Sequence, residues 1–351
     1  MIVTPKKFVA PGASTNRANY VEGRNLIMYA LSKIHVSIET AQAIATAHFG
    51  GQAKINRYTE LTEGMYNSAY LIEFADGQKL VMKIAPPDHV KVLRYEKNIM
   101  KTDVEVLRLI RAQTQVPVPE VFAYDTSRRL MENDYYLMAF APGMGLHKLR
   151  PNLSAADQHA IDFRTGEYLC QINAIPGSSF GYFSQLELHL PTWRETFKGM
   201  IKLVLQDGRD AGVELPLPYE MIPSQLQAFY SVLDEVTQPA LVHWDLWDGN
   251  IFVDPETKEI TGILDCERAL WGDPLMEVNF GAFGLNPALL QGYGADLLST
   301  PNAKVRRTLY NIYLWLIMII ESTYRCFETK DQENWARLKL IEELKNLQEI
   351  A

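Results

Sequence analysis

The chain has 351 residues, 47% hydrophobic and 22% charged, and a formal net charge of −8. That length exceeds what one hydrophobic core organises well, so two lobes are expected, and the composition excludes a disordered, collagen-like or low-complexity chain. Cys170, Cys266 and Cys326 lie far apart without metal-ligand spacing, which favours a reducing, cytoplasmic compartment over a disulfide framework.

Taken in order, the first segment, MIVTPKKFVAPGASTNR, lacks the apolar run of a secretory signal. Arg24–Phe49 reads as helical and is expected to pack on the first lobe. Period-two alternation then predicts three strands, KINRYTEL from Lys54, AYLIEFA from Ala69 and KLVMKIA from Lys79. Ala75-Asp76-Gly77-Gln78 closes the last two as a hairpin, and Glu63–Ser68 joins the first two. Apolar spacing at Ile99, Met100, Val104, Leu107 and Ile110 predicts a helix over Val90–Arg111, stopped ahead of Pro117 and Pro119. Short strands follow at Glu120–Tyr124 and Tyr135–Phe140.

From Ser154 the text turns helical. Ser154 and Asp157 form a capping-box pattern opening a helix to about Ile172, and helical text continues to Val236. Two strands then flank a polar loop, LVHWDLWDGNIFV and ITGILDCE, before helices resume near Pro301. The most apolar stretch, Ile312–Ile320, is far shorter than the roughly 20 residues that span a bilayer and is expected to be a buried core helix. The architecture predicted is α+β: a small, mostly antiparallel N-terminal lobe over 1–140 and a mainly helical lobe over 141–351. Bases exceed acids by about five over residues 1–150, and acids exceed bases by about thirteen thereafter. A basic first lobe suits a polyanion, and an acidic second lobe suits a metal and a cationic acceptor. Glu187, Glu195, Asp207, Asp210, Glu214 and Glu277 are the acids that could draw such an acceptor.

The chemistry concentrates in His243-Trp-Asp-Leu-Trp-Asp-Gly-Asn250 and in Asp265-Cys-Glu267, which follows a strand. Phosphoryl transfer needs one carboxylate to orient a hydroxyl and take its proton, and hard oxygen ligands to hold Mg²⁺ against phosphates. Asp245 is the candidate base and Asn250 and Asp265 the candidate metal ligands. The step from Asp245 to Asn250 matches the spacing of a kinase catalytic loop.

These motifs resemble the aminoglycoside phosphotransferase and choline-kinase-like family, whose loop reads H-G-D-L-x-x-x-N followed by I-L/V-D. The resemblance spans roughly Tyr58 to Asn279 and implies a bilobal protein-kinase-like fold with ATP and Mg²⁺ as cofactors. It implies that Lys83 contacts the α- and β-phosphates and that Glu105 on the following helix pairs with it, with Glu96 as the alternative. It further implies that Gly64, Asn67 and Ser68 cover the phosphates, that Met138 lies behind the adenine, and that the backbone near Phe140 and Ala141 meets the base edge. Asp273, in Gly272-Asp273-Pro274, is expected to organise the site. The sequence departs from the family at Trp244, where glycine is usual, and at Asn173, where many members have histidine. The loop at Gly64 carries one glycine rather than three, and Trp247 adds a second indole beside the base.

A protein kinase carries a long activation segment ending in A-P-E. Here only a few residues separate Glu267 from Gly272, no A-P-E follows, and Ser154–Val236 is placed to wall off a small pocket. The expectation is an ATP-dependent kinase (GTP being the other nucleotide option) acting on a small-molecule hydroxyl, without nucleic-acid or membrane partners. A non-catalytic, pseudokinase-like nucleotide or ligand module is the alternative.

Overall fold

The computed structural model describes residues 33–350 apart from 65 and 328; the expected helix over Arg24–Phe49 therefore lies partly outside the described residues. What is described of it is an extended run ending in α1, Ile38–Phe49, whose N-cap Ser37 accepts a hydrogen bond from Thr40 N–H. The strands β1 (Ile55–Leu61), β2 (Ser68–Phe74), β3 (Lys79–Ile84), β4 (Val121–Asp125) and β5 (Tyr135–Ala139) form one antiparallel sheet in the order β1-β2-β3-β5-β4. Gly77 takes φ +89° in the β2–β3 turn, a conformation glycine adopts without a Cβ penalty.

The pleat sorts this sheet into two faces. Leu80, Met82 and Ile84 point one way and pack with Tyr70, Ile72 and Ala41, Ile44 and Ala45 of α1 in a small core. Val81 points the other way with Tyr136 and Met138, into a larger core that includes α2, Ile99–Gln113, and runs on through the helical region. Lys83 shares the face of Val81, so period two alone aims it at α2.

The expected helix over Val90–Arg111 begins nine residues late, at Ile99. Residues ahead of it are claimed by other partners. The Glu96 carboxylate accepts Leu93 N–H at 2.9 Å and pairs with Arg325, and Arg94 pairs with Asp207 and with Asp210 at 2.6 Å. Asn98 then turns the chain at φ 61°. These ties to the helical region outweigh local helix propensity.

Beyond the sheet come β6 (Met144–Gly145), α3 (Leu146–Leu149), α4 (Ala155–Asn173), β7 (Gly181–Tyr182), α5 (Trp193–Asp210) and α6 (Met221–Leu226). Ser154 caps α4 as its sequence predicts, accepting from Asp157 N–H at 3.1 Å. β8 (Ala240–Val242), β9 (Ile251–Val253), β10 (Ile260–Ile263) and β11 (Leu270–Gly272) build two small sheets, β10-β9-β6 and β7-β11-β8, that frame the polar loop. β12 (Phe280–Gly281), β13 (Gly284–Leu285), α7 (Pro287–Tyr293), α8 (Pro301–Tyr324) and α9 (Asp331–Ile350) complete the described chain. α8 opens with Thr300 as N-cap and Pro301 at the first position. It holds the apolar stretch Ile312–Ile320 and is buried nearly all round; Trp315, Leu316 and Ile317 each bury enough surface to contribute roughly 2 kcal/mol. Among the described residues, no helix is long and apolar enough to cross a membrane.

Candidate active site

Lys83 is the penultimate residue of β3, on the inner face, and its ammonium lies 2.9 Å from Asp103 Oδ2 and 3.0 Å from Asp265 Oδ1. Burial by itself would lower this lysine; Asp103 first, and Asp265 next, outweigh it and hold the ammonium well above its ordinary pKa. Asp103 does more than balance charge. Its Oδ2 also accepts Tyr136 O–H at 2.5 Å, and its Oδ1 accepts Cys266 N–H at 2.9 Å. One carboxylate of α2 thus fixes the lysine, β5 and the backbone just past Asp265.

Asp103 is a correction to the expected pairing. Glu105 is half-buried on another face of α2, 3.8 Å from Lys101, and Glu96 is buried against Arg325 and Leu93 N–H. Neither reaches Lys83. The two helix positions 103 and 105 differ by about 200° around the axis, so only one of them can face β3.

Asp265 is half-buried with φ 67°. Burial tends to raise its carboxyl, but the Lys83 charge and hydrogen bond prevail and its pKa is lowered. Glu267 lies beside it, pushed up to about 8 by burial first and then by the Asp265 charge. Carboxylate oxygens of Asp103, Asp265 and Glu267 all lie within 4.8 Å of one another. This hard, oxygen-only set has the character that Mg²⁺ selects. Glu267 was the overlooked member; its place two residues after Asp265 in an acid pair was the available signal.

The segment from His243 to Asn250 is held from behind. Glu277 is buried, and its two oxygens accept His243 N–H at 2.7 Å and Trp244 N–H at 2.8 Å, while Asn173 Nδ2 donates to it at 3.0 Å. Burial raises the Glu277 pKa, against the pull of His243 and these donors. Asn173 also donates to Leu241 O at 2.8 Å, a structural duty. His243 Nε2 meets Leu264 O at 3.2 Å, which joins this loop to the strand leading into Asp265. Asn250 Nδ2 donates to Asp245 O at 2.8 Å and lies 3.4 Å from Asp245 Oδ2. Its amide nitrogen is turned to the loop, so its oxygen is the end left to face a cation.

Trp244 sits at φ 64°, the left-handed conformation for which glycine is suited, and it is 1% exposed. Its ring stacks on Tyr313 at 5.6 Å and 11°, so this indole is core rather than pocket wall. Trp247 is half-buried, 5.6 Å from the His147 ring. Asp273 caps its own turn through Leu275 N–H and accepts from Arg306 Nε at 2.9 Å and Tyr310 O–H at 2.7 Å. It ties the catalytic region to α8. Arg268, paired with Glu321 at 3.1 Å, also lies within the field of Asp245.

Above the carboxylates lies the β1–β2 connection. Asn67 Nδ2 donates to Glu267 Oε2 at 2.8 Å, and the Tyr66 ring lies 4.5 Å from the Arg325 guanidinium. Ser68 is wholly buried, and its Oγ is spent on Ile34 N–H at 2.6 Å. Gly64 stands above the Lys33 ammonium, 3.8 Å from where its own Cβ would be. Met138 is buried opposite Val81 in β5, and Phe140 N–H bonds Lys79 O weakly at 3.4 Å, with buried Ala141 next in line. Of the acids weighed for a cationic acceptor, Glu277 is wholly engaged inside, Asp207 and Asp210 hold Arg94, and Glu195 caps α5 with Thr192.

A five-stranded antiparallel sheet with one inner helix, set on a helical body with the acidic loops between them, is the protein-kinase-like arrangement. A family model described as the phosphotransferase enzyme family matches residues 57–307. The chain belongs to that family, a class of small-molecule kinases. A crystal structure of a putative fructosamine-3-kinase from Thermobifida fusca superposes with TM-score 0.65 at 19% identity, covering 89% of this chain and 100% of that one. The streptomycin–ATP ternary complex of the aminoglycoside phosphotransferase APH(2")-IIa superposes with TM-score 0.57 at 18% identity, over 90% and 97%. Among curated proteins, a probable acyl-CoA dehydrogenase of Arabidopsis thaliana, IBR3, is 22% identical over 228 residues, 64% of this chain and 27% of that protein. Acyl-CoA dehydrogenase family member 10 of Mus musculus is 24% identical over 229 residues, 63% of this chain and 20% of that protein. The matched stretch is thus about a quarter of these longer relatives.

Proposed function

We propose that the chain moves the γ-phosphate of ATP to a hydroxyl of a small molecule. The observation that carries this reading is the Lys83 ammonium held between Asp103 and Asp265, with the Asp245–Asn250 loop braced beside it. Asp245 orients the acceptor hydroxyl and accepts its proton. Lys83 balances phosphate charge, and the loop at Gly64–Ser68 covers the phosphates with Asn67 in front. Asn250 and Asp265, joined by Glu267, are the residues that would hold Mg²⁺, which neutralises charge developing on the phosphate oxygens. Met138, Phe140 and Ala141 line the way to the adenine. In this reading residues 1–140 form the nucleotide lobe and 141–351 the catalytic and acceptor lobe.

The acceptor is a small molecule rather than a peptide, because β11 occupies the stretch after Glu267 and pairs with β7 and β8. That stretch therefore offers no docking platform. The names of the curated relatives describe dehydrogenases far longer than the matched stretch, and their chemistry carries no weight for this site.

The test is ADP release with Mg²⁺ and ATP across a panel of hydroxylated small molecules. Asp245→Ala should lower acceptor-dependent turnover by at least about a hundredfold, the usual share of a general base, and leave ATP affinity within a few-fold. Unchanged turnover in that variant would remove Asp245 from its role. ATP binding without acceptor-dependent release across the panel would favour a non-catalytic module.

A further inference from the structure

Ahead of β1, residues 33–37 lie along the sheet as an extended strap. Ile34 N–H donates to Ser68 Oγ at 2.6 Å, and Tyr70 O–H donates to Ile34 O at 3.0 Å. Val36 N–H meets Tyr70 Oη at 3.2 Å, and Tyr58 O–H donates to Val36 O at 3.2 Å. Tyr58 and Tyr70 are themselves stacked 4.8 Å apart, so the strap is set in a fixed register. That register delivers Lys33 beneath the β1–β2 loop, where its ammonium donates to the carbonyl of Asn67 and lies by Gly64.

A lysine placed there only to tether the loop would be a poor choice. It withdraws a charge partly from water to satisfy a neutral carbonyl, a cost that the charges of Glu60 and Glu267 only partly offset. Burial, outweighing Glu60 and Glu267, brings its pKa down to about 8. The same field includes Lys83 and Asp265. The Lys33 and Lys83 ammonium groups are thus near enough for each to act on the other's charge. Like charges are brought together in this way where a polyanion is to lie between them.

We propose that Lys33 is a second phosphate-binding lysine, reaching from the strap ahead of the sheet to the terminal phosphates of the nucleotide opposite Lys83. The proposal rests on the kinase reading given above. Lys33 is partly buried but belongs to neither core, so its replacement is expected to leave the fold intact.

Calorimetric titration of the full chain with Mg–ATP and separately with adenosine tests it. Lys33→Met should weaken ATP about tenfold, the scale of one charge-assisted contact, and leave adenosine affinity unchanged. Lys33→Arg should bring ATP affinity most of the way back. Equal weakening of ATP and adenosine would make Lys33 a loop tether, and tighter ATP binding would make it an occupant that nucleotide must displace; either overturns the proposal. Unchanged ATP affinity in Lys33→Met, with normal binding by the unaltered chain, overturns it while sparing the kinase reading. An unaltered chain that binds no nucleotide would sink both.

Discussion

The two loops that face each other across the site are held in opposite ways. The His243–Asn250 loop is gripped by its backbone: a buried carboxylate takes two consecutive amides, and a buried asparagine steadies that carboxylate. The Gly64–Ser68 loop is held mainly through reaching side chains, Asn67 to Glu267, Lys33 to Asn67, and Tyr66 to Arg325. Backbone fixation suits the group that must meet a hydroxyl within a few tenths of an ångström. Side-chain ties suit a cover that must release and regain its grip as nucleotide comes and goes. The difference teaches where this fold invests rigidity.

The largest way to break that comparison is Glu277→Ala. It strands two buried amides at about 1–3 kcal/mol each, so melting temperature and turnover should both fall sharply. A fall in turnover with unchanged stability would mean that Glu277 acts on substrate rather than on the loop. Next comes Trp244→Ala, which empties the stack on Tyr313 and should cost roughly 3 kcal/mol, the Cβ strain of the left-handed position staying as it was; denaturant unfolding would show it. Wild-type stability in Trp244→Ala would mean that the indole contributes nothing to packing.

Between the two loops stands Asp103. Asp103→Ala should lower kcat/KM by about 10–100-fold, as loss of an orienting partner does, whereas Glu105→Ala should leave it within about twofold, the scale of an exposed i,i+4 pair. Equal effects would erase the distinction between the two acids. Smallest is Tyr66→Leu, which removes a ring–guanidinium contact of about 1 kcal/mol. It should raise the KM for ATP a few-fold without changing thermal stability; a shift in kcat alone would place Tyr66 on the acceptor side instead.

How much of this could be read from the sequence follows from which physics each feature uses. The strands of the sheet obey period two, and β2 shows it without exception in its burial, so their places were legible to within a residue or so. The loop between β8 and β9 and the acid pair after β10 were legible because their spacing is dictated by chemistry. The Lys83 partner was not chosen correctly, although the signal was there. Asp103 lies three residues after Met100 and four before Leu107, squarely on the apolar stripe of α2, and an acid on such a stripe needs a cation. Glu105 sits with Lys101 on the wet side. The start of α2 was illegible because Arg94 and Glu96 answer to Asp207 and Arg325, residues more than a hundred positions away. Glu277 was equally hidden: its sequence suggests only an acid that could draw a cationic acceptor, and its burial against two amides reveals its duty. Lys33 carried no signal at all, since its place is set by the tyrosines that hold the backbone of Ile34 and Val36 after it.

The strand after Glu267 has one more consequence. Where a signalling kinase keeps a long segment that can be folded away or modified, this chain runs straight into β11, hydrogen-bonded on both sides. The contacts of Lys83 with Asp103 and Asp265, which the proposed reading needs, are already made. A strand paired on both edges has no idle posture to be woken from, so in the proposed reading this stretch would leave output to the supply of the two substrates.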